Sequence, residues 1–321
     1  MPNMLLPAAT LVSLLLTATA MAAPAVVAST KPVHSLVSAV MGDVGTPELI
    51  VRGAASPHNY SLRPSDAAAL EAADIVFWTG HGMELFLADA LETLSTNART
   101  VELAEAPGIT LLPMRDGGAF ESHAHPEDDR HDHDHDHDHD HGHEDHDHAH
   151  GEGDMHFWLD PANAKLMVAG IAAALSEADP ENADTYAANA AAEQERLDAL
   201  TDELSAQLAP AADKPFLVFH DAYQYFENRF GLTVAGSITV SPEAMPGAAR
   251  VDQLRAKVAE LGATCVFAEP NFQPAIVNTI IEGTEARAGV LDPEGADLTE
   301  GPNLYAELLR GLATSIVDCL G

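Results

Sequence analysis

The chain has 321 residues, of which 46% are hydrophobic and 5% aromatic, and its 50 acidic against 15 basic side chains leave a formal net charge of −35. This is a soluble globular composition, long enough to bury one large core or two moderate ones, and two lobes are the better expectation. So acidic a surface repels nucleic acid and anionic membrane and points instead to a cationic ligand or partner.

Residues 1–22 have an apolar middle and small residues at Ala20 and Ala22, which suits a secretory signal cleaved before Ala23. No Lys or Arg lies near the start, but Pro7, Thr10, Ser13 and Thr17 break the run too often for a membrane anchor. Beyond it, apolar runs alternate with helical spacing: a strand over 25–29 and a helix after it, a strand over 48–52, a helix over 63–73, a strand over 75–79, a helix over 83–94 and a strand over 100–103. Helices over 161–177 and 181–208 follow, the second about 40 Å long at 1.5 Å per residue and rich in Ala, Leu, Glu and Gln. The alternation then resumes, with strands at 216–219, 233–236, 265–268 and 290–291 and helices at 221–230, 248–261, 274–288 and 303–320.

Such alternation predicts an α/β fold of two similar lobes with parallel sheets, joined by one long rigid helix. The expected divisions are an N-terminal lobe over 23–179, a linking helix over 180–209 and a C-terminal lobe over 210–321. The ligand belongs at the carboxyl ends of the strands, where the lobes face one another.

A His/Asp-rich loop over 115–154 interrupts the first lobe. From His123 to His150, twelve of 28 positions are His, namely His123, His125, His131, His133, His135, His137, His139, His141, His143, His146, His148 and His150, and most of the rest are acids. With no residues to build a core, the segment reads as a disordered, solvated loop. Neutral imidazoles beside carboxylates attract and bind borderline divalent cations, so it reads as an accessory metal collector.

Five histidines lie outside it, and three of them fall where the cleft is expected. His58 follows the second strand in ASPHNYSLRPSD, His156 lies in GDMHFWLDP, and His220 ends the apolar strand FLVFH. Three imidazoles with an open or carboxylate fourth position suit Zn²⁺. Asp292 is the carboxylate placed to be the fourth ligand, and Glu269, in CVFAEP, is placed to orient a ligand His from behind. His34 and His81 are weaker candidates. An exported chain with only Cys265 and Cys319 most simply pairs them, the alternative being a Cys-containing metal site without the usual C-x-x-C.

The motifs SPHNYSLRPSD, DMHFWLDP, VFHDAYQYFE, PGAARVDQLRAKVAELGATCVFAEPNFQPAIV and LDPEG occur in this order with an acidic His-rich loop between the first two. In this the chain resembles the periplasmic zinc-binding proteins of bacterial ABC uptake systems, the ZnuA type, over about 25–319. The resemblance implies zinc held between the lobes by His58, His156 and His220, and a disulfide between Cys265 and Cys319. It also implies a periplasmic location and delivery of zinc to a membrane permease driven by a cytoplasmic ATPase. The chain would act as a monomer and not as an enzyme, with a periplasmic zinc chaperone as a further partner to consider. Some relatives carry Glu where this chain has Pro57, which leaves water or Asp292 to complete the shell. Manganese-binding relatives place a carboxylate where this chain has His220, and imidazole there favours Zn²⁺. A zinc hydrolase with Glu269 as base is the rival from another class, without an H-E-x-x-H helix to support it.

Overall fold

A computed structural model describes residues 23–115, 120, 153–239, 246–262, 264–270 and 274–321. The proposed signal segment, and all of the His-rich loop except residues 115, 120, 153 and 154, lie outside them.

Each half of the chain builds a four-stranded parallel sheet. In the first, β1 (Val26–Ala28), β2 (Glu48–Leu49), β3 (Ile75–Trp78) and β4 (Arg99–Glu102) lie in the order β2-β1-β3-β4. A two-stranded antiparallel ribbon follows, β5 (Leu112–Pro113) with β6 (Gly153–Asp154), and forms the stem from which the His-rich loop departs. In the second sheet, β7 (Phe216–His220), β8 (Val234–Thr239), β9 (Cys265–Ala268) and β10 (Arg287–Val290) lie in the order β10-β9-β7-β8. Read from the opposite edge, this is the topology of the first sheet. The strands IVFW and FLVFH are buried at every position, as strands covered by helices on both faces must be.

The helices α1 (Lys31–Met41), α2 (Pro64–Ala72) and α3 (Leu85–Leu94) belong to the first lobe. After α4 (Pro161–Ala178) and α5 (Ala183–Leu208) come α6 (Gln224–Phe230), α7 (Ala248–Leu261), α8 (Pro274–Ile281) and α9 (Leu304–Leu320) in the second. Asp160 caps α4 by accepting from Ala162 N at 2.8 Å, with Pro161 in the first turn, and Gly231 closes α6 in the left-handed region at φ 66°.

The long helix α5 has 26 residues, and Tyr186, Ala190, Glu193, Leu197, Leu200, Leu204 and Leu208 form its buried stripe. That stripe packs on α1 and α4 of one lobe and on α9 of the other. The helix expected as a rigid strut is therefore a spine within a core that runs unbroken from Val26 and Leu36 through Leu200 to Phe216 and Leu309. Smaller clusters lie under the outer face of each sheet. The Cys265–Cys319 disulfide ties β9 to α9. Among the described residues, no helix is long and apolar enough to cross a membrane.

Some boundaries differ from the expectation. The helix expected over 274–288 stops at Ile281, and after Gly283 turns at φ 76° the chain extends into β10 over Arg287–Val290. Of the strand expected over 48–52, Glu48–Leu49 pair with β1 and the N–H groups of Ile50 and Val51 still donate to Ala28 O and Ser29 O at 3.0 and 2.8 Å, after which the chain turns into the loop that carries His58.

Candidate metal centre

In a sheet of order 2-1-3-4, the crevice opens where successive connections leave toward opposite sides, between the first and third strands. In the second lobe that point lies between β7 and β9. His220, the last residue of β7, and Glu269, the residue after β9, meet there, with His220 Nδ1 2.5 Å from Glu269 Oε1. The backbone N–H of His220 also donates to that oxygen at 3.3 Å. The matching point of the first lobe holds Ser29 and Glu84 instead, the serine hydroxyl donating to the carboxylate at 2.5 Å.

His156 follows β6. Its backbone N–H donates to Asp154 Oδ1 at 3.0 Å, and its Nδ1 lies 2.8 Å from the same oxygen. Both rings therefore turn Nδ1 toward a carboxylate, which leaves Nε2 as the inward-facing lone pair. The two Nε2 atoms stand 3.2 Å apart. Two nitrogens about 2.05 Å from a tetrahedral Zn²⁺ are separated by about 3.3 Å, so these rings already hold the spacing that zinc requires.

His58 comes from the loop after β2, which is anchored on Asp66. Tyr60 Oη and Arg63 N both donate to Asp66 Oδ2 at 2.9 Å, and the Arg63 guanidinium reaches Ile50 O at 3.2 Å. The His58 ring centroid lies 5.4 Å from that of His156 and 5.7 Å from that of His220. One ligand atom from each of the three histidines falls within 4.8 Å of the others, the only such group among the described residues. The space they enclose with Pro57, Asp292 and Glu294 measures about 20 Å³, room for one ion or water.

Burial, with His156 and His220 alongside, holds the His58 imidazole well below its ordinary pKa, so this ring stays neutral and ready to ligate. Burial also opposes charging of His220, but the Glu269 carboxylate against its Nδ1 more than reverses this and moves its pKa up. The cleft floor is acidic. Burial moves Glu294 and Asp292 upward, with repulsion from neighbouring carboxylates contributing to both, so closely spaced acids here favour a dication.

Asp292 lines the cleft but is already engaged: its Oδ1 accepts from Glu294 N and Gly295 N at 3.1 and 2.8 Å, and its Oδ2 from Ala296 N at 2.6 Å. The loop it caps is held from the other lobe by Lys31. The buried Lys31 ammonium donates to the carbonyls of Gly295, Ala296 and Leu298 at 2.8, 2.6 and 3.0 Å. Trp158, packed beside His156, donates from Nε1 to Pro293 O at 3.0 Å.

The histidines set aside in the sequence lie elsewhere. His34 is buried with Nε2 on Pro47 O at 3.1 Å, and His81 sits near the surface with Nδ1 3.0 Å from Glu102. Asp154 and Lys31 were not expected. A signal for Asp154 did exist, an acid two residues before a candidate ligand, the spacing that lets one carboxylate hold both backbone and ring.

Comparison with known proteins places the chain in a family. Residues 26–319 match the family described as ZnuA, zinc-uptake complex component A, periplasmic. The chain is 56% identical over 304 residues to a high-affinity zinc uptake system protein ZnuA of Brucella abortus, covering 92% of this chain and 91% of that one. A namesake from Paracoccus denitrificans is 44% identical over 300 residues, covering 93% and 92%. Among solved structures, a zinc-bound ZnuA deletion mutant superposes with a TM-score of 0.73 at 27% identity, covering 93% of this chain and 98% of that one.

Proposed function

This chain belongs to the ZnuA family of periplasmic zinc-uptake components, and from that premise we propose that His58, His156 and His220 are the ligands through which it captures Zn²⁺. The observation that carries the reading is the pair of Nε2 atoms 3.2 Å apart, each on a ring whose Nδ1 faces a buried carboxylate. Zinc is the cargo: the protein is a transport component rather than an enzyme, and it serves an ABC-type zinc transporter.

The ligand set supports zinc over manganese, since three imidazoles favour the softer, borderline ion. Three backbone N–H groups hold the Asp292 carboxylate against its own loop, so we assign Asp292 to supporting the cleft floor and the fourth position to water. Glu269 and Asp154 stand behind His220 and His156, raise their basicity and fix the ring nitrogen that faces the ion. We assign the loop histidines to weaker, exchanging sites that raise the local zinc concentration. Delivery is to a membrane permease driven by a cytoplasmic ATPase, with the protein acting as a monomer in the periplasm.

The test is zinc titration of the mature protein with His58, His156 and His220 changed singly to Ala. Each change should abolish the tightest site and leave the weaker ones. A variant that keeps wild-type affinity for the first equivalent removes that histidine from the ligand set.

A further inference from the structure

The two arms of the β5–β6 stem reach the metal centre by different routes. The returning arm carries Asp154 and His156 directly. The outgoing arm ends at Arg115, which crosses to the other lobe and grips Asp221, the residue after His220. Its Nε donates to Asp221 Oδ2 at 2.9 Å, a second nitrogen donates to Asp221 Oδ1, and Nη1 donates to Glu227 Oε2 at 2.6 Å. All three side chains are at least four-fifths buried, and the guanidinium lies 4.2 Å over the ring of Phe120.

Other bonds follow the same path. Gln224 Nε2 donates to Pro113 O at 3.0 Å, Tyr225 Oη donates to Asp154 O at 2.7 Å, and Leu112 N donates to Tyr225 Oη at 2.7 Å. The first turns of α6 therefore read both strands of the stem, and α6 begins four residues after His220. A buried, bidentate Arg–carboxylate contact fixes both distance and angle, unlike a solvated ion pair.

We propose that Arg115 is a positioning residue for the metal centre, holding His220 in register with His156 by clamping Asp221 and Glu227 to the stem. The proposal rests on the metal-capture reading above. It makes the stem of the His-rich loop part of the zinc site, although the stem contributes only one ligand to it. The grip sets the 3.2 Å spacing between the two Nε2 atoms, because one ring rides on the stem and the other on the strand end that Arg115 holds. A shift of a few tenths of an ångström between these parts weakens zinc without altering the ligands.

The experiment uses the full mature chain with Arg115→Met, Asp221→Asn and Glu227→Gln, and His156→Ala as a control. Two quantities are read: affinity for the first zinc equivalent against a chromophoric chelator, and the visible spectrum of the complex with one equivalent of Co²⁺. Arg115→Met should weaken zinc about 10–100-fold, the range typical of groups that orient a ligand, and change the intensity of the Co²⁺ bands. Asp221→Asn should weaken it more than Glu227→Gln, because Asp221 adjoins His220 and holds two nitrogens of the guanidinium, while Glu227 holds one and divides its carboxylate between Arg115 and Val234 N, the latter at 3.0 Å. This ordering keeps the test informative even where Arg115→Met lowers the yield of folded protein.

Wild-type affinity and an unchanged Co²⁺ spectrum in Arg115→Met overturn the proposal, as does an equal effect of Asp221→Asn and Glu227→Gln. If His156→Ala also retains the tight site, the metal-capture reading itself has failed. If only the control loses zinc, the positioning role alone has failed.

Discussion

Glu269→Gln separates what Glu269 does for His220 into charge and hydrogen bonding. The carbonyl oxygen of the substituted amide can still accept from His220 Nδ1, so the ring keeps its orientation and loses the anion behind it. That anion lies about 6 Å from an ion bound at Nε2, a separation worth roughly 5 kcal/mol with a dication at an effective dielectric of about 20. Removing it also relieves the cost of burying a carboxylate that no Lys or Arg pairs with among the described residues, so the net loss is smaller. We expect zinc affinity at pH 8 to fall about 10–100-fold, or about 1.4–2.7 kcal/mol.

The pH dependence carries the sharper test. In the wild type Glu269 raises the His220 pKa, so protons begin to compete with zinc at a higher pH than for a free imidazole, and affinity falls as pH drops. Without the carboxylate, burial dominates, the pKa moves down and competition begins at lower pH. The ratio of wild-type to variant affinity should therefore be largest near pH 8 and narrow toward pH 6. Chelator competition at half-unit intervals measures it. A constant ratio across that range, or equal affinities throughout, would refute the assignment of Glu269 as the group behind His220.

Changing Cys265 and Cys319 to Ser releases a loop with a sequence separation of 54 and should lower stability by about 4 kcal/mol in the chain-entropy account, read by urea denaturation; a loss under about 1 kcal/mol would contradict it. Lys31→Met strips the donor from the carbonyls of Gly295, Ala296 and Leu298, and at about 1–3 kcal/mol for an unmade buried bond it should cost at least about 2 kcal/mol. Hydrogen exchange at Glu294, Gly295 and Ala296 should accelerate in the same variant, and unchanged rates would show that Lys31 does not hold that loop. Removing residues 121–152 should leave one tight zinc and reduce the total bound, as counted by titration with metal analysis. Loss of the tightest site on that deletion would overturn the collector role of the loop.

The parts of the site legible in the sequence were those with local signatures. An apolar strand ending in His or Glu gives away His220 and Glu269, because burial on both faces demands the run and the cleft demands the polar end. His58 and His156 could be picked out because turn-forming prolines and a motif surround them. Boundaries failed where two patterns overlap: NTIIEGTEARAGV continues a helical composition past Ile281, and only the turn at Gly283 divides it into helix and strand. The supporting contacts were illegible for a different reason. Lys31 reaches carbonyls 264 to 267 residues away and Arg115 reaches an acid 106 residues away, and no periodicity encodes a pairing set by the assembled topology.

These distant contacts decide how the cleft works. A hinged binding protein draws affinity from lobe closure, but here one core runs through both lobes along α5. Lys31, Arg115 and Trp158 add bonds across the gap on separate sides of the site. The two rings oriented by carboxylates already stand at zinc spacing, so binding requires little rearrangement, and affinity reflects how firmly each ring is held. The third ring, His58, comes from a loop tied mainly through Asp66 and makes no comparable carboxylate contact among the described residues. With the three rings as the proposed ligands, displacing His58 is the release step this arrangement predicts. Withdrawing it removes one of three imidazoles while leaving the core and all three lobe-spanning contacts intact. A transporter that engaged the His58 loop could lower zinc affinity without separating the lobes.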